Sequence, residues 1–137
     1  MQKKYNVFSN LTFEDFKRLA KDSTLSEHEK IGFPDSMRDS HTQLIFDDII
    51  SKLPKVKERE AAILDIGIGC GSLSKLLINN AKELSQTFII NDSDEMLSLH
   101  SDDVIKVSGQ FPYNMNEFAK YHSTLDAIIC YSVIHYV

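Results

Sequence analysis

The chain has 137 residues, 42% of them hydrophobic and 26% charged, with a net charge of -5. That length supports one hydrophobic core of ordinary composition, and the acidic balance argues against a general nucleic-acid surface and toward small-molecule chemistry. No apolar run approaches the roughly 20 residues of a membrane span, and Met1-Gln2-Lys3-Lys4-Tyr5-Asn6 has no signal-peptide core behind it, so no membrane partner and a cytoplasmic location are expected.

Thr12 followed by Asp15, with Phe13, Phe16, Leu19 and Ala20 at helical spacing, predicts a capped helix ending near Lys21. The polar segment from Asp22 to His41, punctuated by Gly32 and Pro34, has room for a brief helical turn. Within it Glu27, His28, Arg38 and His41 read as surface polar side chains beside a helix start. A longer helix is predicted from about Ser40 to Leu53, with Leu44, Ile45, Ile49, Ile50 and Leu53 inward and Pro54 as its stop. Lys55 to Glu60 reads as a solvated charged connector.

Ala61 to Ile66 then predicts a strand covered on both faces, and it runs into Gly67, Gly69 and Gly71 alternating with Ile68 and Cys70. Such a turn can take positive φ and bring main-chain N–H groups against a ligand. Ser72 is expected to cap the next helix, which carries Leu73, Leu76 and Leu77 and ends near Glu83. Thr87 to Ile90 is a second strand ending at Asn91-Asp92, and Ser93 caps a third helix with Met96, Leu97 and His100 inward. Val104 to Val107 is a third strand closed by Ser108 to Pro112, Asn114 to Tyr121 a short helix, and Leu125 to Tyr131 a fourth strand. Strands alternating with helices predict βαβ units and a parallel α/β sheet, with residues 1–60 as an N-terminal helical segment and 61–137 as the core. The apolar stretch running to Val137 without cap or breaker leads us to expect a fragment of a longer chain. Cys70 and Cys130 lack metal-ligand spacing and read as buried thiols, and no metal site is expected.

In an open α/β sheet ligands lie outside the carboxyl ends of the strands, which gathers Asp65 to Gly71, Asn91 and Asp92, Ser108 to Phe111, and Tyr131 to His135. A carboxylate after the second strand suits a ribose, and hence a nucleoside-containing cofactor. The glycine spacing departs from the dinucleotide pattern, since Ser72 stands where its third small residue belongs, and Asp65 suits an amino group better than a pyrophosphate.

Ile63-Leu64-Asp65-Ile66-Gly67-Ile68-Gly69-Cys70-Gly71 resembles the first motif of the class I S-adenosylmethionine-dependent methyltransferases, D/E-x-G-x-G-x-G. The segments Ile89 to Leu97, Ser108 to Pro112 and Leu125 to Tyr136 resemble that family's later blocks in order and spacing. The resemblance implies a Rossmann-like doubly wound parallel sheet that binds S-adenosyl-L-methionine. It implies cofactor contacts from Asp65, Gly67, Ile68, Gly69 and Gly71, from Asn91 or Asp92 at the ribose, from Ser93 and Met96, and from Gly109, Gln110 and Tyr131. The N-terminal segment is one this family often folds over the cofactor. Tyr131-Ser132-Val133-Ile134 replaces the Asn/Asp-Pro-Pro-aromatic turn of enzymes acting on base amines or glutamine, so the small-molecule branch is expected, with a sugar or other metabolite hydroxyl as acceptor. His135 is the ordinary base nearest that block and the candidate catalytic residue. A non-catalytic cofactor-binding domain and a nicotinamide oxidoreductase are the alternatives.

Overall fold

The structure is a computed structural model and describes residues 10–38 and 40–131. Helix α1 (Phe13–Lys21) starts at a reciprocal capping box, in which the Thr12 hydroxyl accepts from the Asp15 N–H and the Asp15 carboxylate accepts from the Thr12 N–H at 2.8 Å. The polar segment that follows forms two short helices, α2 (Glu27–Lys30) and α3 (Asp35–Arg38), and α2 repeats the capping box with Ser26 and Glu29.

Helix α4 (Thr42–Lys52) buries Phe46 and Ile49, but Leu44, expected inward, is 66% exposed. Residues 44 and 46 lie about 200° apart on a helix, so turning Phe46 to the core carries Leu44 to solvent. The charged connector is also more than a solvated link. Pro54–Lys57 forms a 3-10 turn that buries Val56, whose carbonyl accepts from the side-chain amides of Asn80 and Gln86 at 2.9 and 2.8 Å.

Four strands, β1 (Ala62–Ile66), β2 (Thr87–Asp92), β3 (Ile105–Ser108) and β4 (Ala127–Ile129), form one all-parallel sheet in the order β3-β2-β1-β4. Helices α5 (Ser72–Glu83) and α6 (Asp94–Leu97) make the first two crossovers, and a 3-10 helix at Met115–Tyr121 lies in the third. On one face Ile63, Phe88, Ile90 and Ile129 pack with Phe46, Ile49, Leu77 and Ile78 from α4 and α5. On the other, Leu64, Ile66, Ile89 and Val107 meet Phe111, Phe118, Tyr121 and Leu125. Each fully buried Ile or Leu contributes about 1.5–3 kcal/mol, and burial on both faces accounts for strands that read as continuous apolar runs. The architecture is α/β and Rossmann-like. β1, β2 and β3 step outward in one direction before the chain returns to place β4 on the other side of β1, so the strand order reverses between β1 and β4.

Candidate functional site

Beyond β1, Gly67 and Gly69 adopt φ of 72° and 64°, a left-handed conformation that costs an L side chain about 1–2 kcal/mol. These turns fold the loop back over the end of β2, where the Gly67 and Ile68 N–H groups both donate to the Asn91 carbonyl at 2.9 and 3.1 Å. Gly69 is held from both sides: its N–H donates to Asp92 Oδ2 at 3.0 Å, and its carbonyl lies 2.6 Å from Nε2 of His100.

The loop borders a cleft at the carboxyl ends of the strands, next to the point where strand order reverses. Gly67, Ile68, Gly69 and Gly71 line it from the first turn, Asn91, Asp92 and Met96 from the second, and Gly109, Gln110 and Tyr131 from the third and fourth. Asp65 and Ser93 do not line it. Strand alternation puts Asp65 on the face of Ile63, where it is 4% exposed. Burial, reinforced by the negative charge of Asp92, holds the Asp65 carboxyl well above the usual range. Ser93 is buried as the cap of α6, its hydroxyl accepting from the Met96 N–H at 3.2 Å. His135 lies outside the described residues.

Asn91 and Asp92 have different surroundings. The Asn91 amide is buried and donates to the carbonyls of Val107 and Gly109 at 2.9 and 3.1 Å, tying β2 to the end of β3. Asp92 accepts from the Gly69 and Ser93 N–H groups at 3.0 and 2.8 Å. Burial raises the Asp92 pKa, and these two donors oppose the rise. Each carboxylate oxygen retains a second lone pair for a hydroxyl donor in the cleft.

The opposite wall comes from the N-terminal segment: Phe13 and Phe16 of α1, His28 of α2, Ile31 and Phe33 after it, and Thr42 of α4. The resemblance implies an N-terminal segment over the cofactor but not which of its residues face the cleft, because Phe13 and Phe16 at helical spacing signal only an apolar helix face. His28, read as a surface residue, is 8% exposed. Its Nε2 accepts from the Ser72 N–H at 3.3 Å and lies 2.9 Å from the Ser72 hydroxyl. Ser72 is therefore not the cap of α5. Gly71 holds the cap position without a side-chain bond, and Ser72, the first helical residue, directs its hydroxyl to His28 and to Thr42 Oγ1 at 2.7 Å. The glycines admit this wall as much as a ligand, since a Cβ on Gly71 would stand 2.9 Å from His28 Cδ2.

Cys70 is buried, its Sγ 3.4 Å from the Glu27 carbonyl, and burial pushes its thiol up to about 11, outside the range of a nucleophile at neutral pH. Among the described residues no cluster of His, Cys, Asp and Glu could hold a metal ion, and no helix is long and apolar enough to cross a membrane. No protein-family model matches the chain, and no curated protein or solved structure matches it.

Proposed function

We propose that the chain is the cofactor-binding part of an S-adenosylmethionine-dependent methyltransferase acting on a small-molecule acceptor. The observation that carries this reading is the contact between Asp92 and the glycine loop, which puts a carboxylate with spare lone pairs in the same cleft as a main-chain turn of three glycines. The lining fits an adenosyl group: Met96 and Phe111 offer apolar surface to a purine, Gln110 can donate and accept at its edge, and Asp92 can accept from ribose hydroxyls. Asp92 takes the ribose role in preference to Asn91, whose side chain is buried and tied by its amide to the carbonyls of Val107 and Gly109. When bound, the cofactor supplies an electrophilic methyl group on a sulfonium centre. The protein's part is to hold the acceptor in line and exclude water, and the aromatic N-terminal wall suits both tasks.

Calorimetry with S-adenosylhomocysteine and, separately, NAD(H) tests the reading. Saturable binding of the first and none of the second is expected, and the reverse pattern would assign the cleft to a nicotinamide cofactor. Binding of S-adenosylhomocysteine by a chain that transfers no methyl group to any hydroxyl metabolite would support a non-catalytic binding domain instead.

A further inference from the structure

We propose that Ser72, His28 and Asp35 form a nucleophilic triad in the cleft, able to hydrolyse esters of small apolar acyl groups. This activity uses the same cleft as the cofactor reading but does not depend on it.

The three side chains come from distant parts of the chain and meet in order. His28 Nε2 stands 2.9 Å from Ser72 Oγ, and His28 Nδ1 stands 3.4 Å from Asp35 Oδ1. Because the Ser72 N–H donates to Nε2, that nitrogen is an acceptor, which puts the ring hydrogen on Nδ1, the nitrogen 3.4 Å from the half-exposed Asp35 carboxylate. This is the tautomer a serine nucleophile requires of its base. The Ser26 hydroxyl donates to the same Asp35 oxygen at 2.8 Å and fixes the carboxylate that orients the ring. Thr42 Oγ1, 2.7 Å from Ser72 Oγ, holds the nucleophile from the other side.

Ser72 and His28 both line the cleft, so the reacting atoms face a ligand space. Ser72 opens a helix of 12 residues, where the N–H groups of Leu73 and Ser74 have no intrahelical carbonyl partner and can meet the oxygen of a tetrahedral adduct. The adjoining wall of Phe13, Phe16, Ile31 and Phe33 sets the acyl class as apolar.

In the first step Ser72 Oγ forms a bond to the ester carbonyl carbon while its proton passes to His28 Nε2. The adduct then breaks its bond to the leaving alkoxide, which takes that proton and departs as the alcohol. Water repeats the sequence on the acyl-serine, releasing the carboxylic acid and returning the proton to Ser72. No co-reactant other than water is consumed.

The experiment treats the chain with an alkyl fluorophosphonate, which reports the nucleophile by a stable mass increment on release of fluoride, and follows p-nitrophenyl butyrate turnover in parallel. One adduct per chain, mapped to Ser72 and absent from Ser72→Ala, is expected. His28→Gln should slow labelling at least about 100-fold. Asp35→Asn, a change in a positioning residue, should lower kcat with little change in KM, and Asp35→Glu should recover part of the loss. Circular dichroism on each variant separates lost reactivity from lost fold. A folded wild-type chain without an adduct, an adduct on another residue, or an undiminished labelling rate in folded His28→Gln would each overturn the proposal.

Discussion

A Cβ added to Gly69 would lie 2.8 Å from Cγ2 of Ile31, so the residue that closes α2 rests directly on the glycine loop. Gly69 and Gly71 face this wall under different backbone constraints. At Gly69 the left-handed φ of 64° adds about 1–2 kcal/mol of strain for any side chain, whereas Gly71 has a φ of -80° that every residue adopts. Gly69→Ala should therefore lower the thermal midpoint markedly, and Ile31→Ala in the same chain should relieve the steric part while leaving the backbone part. Gly71→Ala should cost less and be relieved in part by shortening His28, the remainder being the contact with Ile31 Cδ1 at 3.0 Å. A double-mutant cycle read by thermal denaturation measures both couplings, and additive effects at either pair would contradict the packing described.

Asn91 and Asp92 should separate structure from binding. Asn91→Ala leaves the buried Val107 carbonyl and the partly buried Gly109 carbonyl without this donor and should cost about 1–3 kcal/mol of stability. Asp92→Ala removes the acceptor of the Gly69 N–H and the only acid lining the cleft among the described residues. It should weaken S-adenosylhomocysteine binding at least about tenfold, a loss near 1.4 kcal/mol. Equal effects of the two variants on affinity would count against the ribose role given to Asp92.

Asp65 makes stability fall as pH rises. Burial raises its folded-state pKa well above the unfolded value near 3.8, so the folded state binds more protons than the unfolded state between those two values. Stability is highest below the unfolded pKa and declines as pH rises through the folded one. Asp92, raised in the same direction, adds to the trend. Asp65→Asn should flatten the pH dependence and raise the melting temperature at neutral pH. A melting temperature lowered by Asp65→Asn throughout pH 5–8 would show instead that the carboxylate is stabilising.

Cys70 should resist alkylation. With its thiol near 11 and its side chain buried against the Glu27 carbonyl, iodoacetamide at pH 7.5 should label it at a rate set by opening of the N-terminal wall. Peptide mapping should find it labelled rapidly in denaturant and slowly in the native chain. Comparable rates would mean that α2 does not stay seated on the loop.

Most of the sheet was legible in the chain because strands covered on both faces announce themselves as apolar runs. Ile63, Leu64, Phe88, Ile89 and Ile90 mark β1 and β2 without help from context. The capping box at Thr12 and the cap at Ser93 were equally local. Leu44 was misplaced because an apolar residue at the edge of a helical stripe can turn either way, and packing of Phe46 decided it. Ser72 was misread as a cap because a serine before an apolar run is locally an acceptor for the N–H groups of the next turn, whereas its hydroxyl partners, His28 and Thr42, lie 44 and 30 residues away in sequence.

Short-range chemistry thus determined the order of elements, the positive-φ turns at Gly67 and Gly69, and the collection of polar residues at the strand ends. Tertiary structure alone decided what faces the glycine loop. The burial of Asp65, the commitment of Asn91 to the end of β3, and the seating of His28 and Ile31 on Gly71 and Gly69 each depend on contacts between elements distant in sequence. Local propensity carries no information about such contacts, because hydrogen bonding and van der Waals repulsion act at about 3–4 Å in space, whatever the separation along the chain.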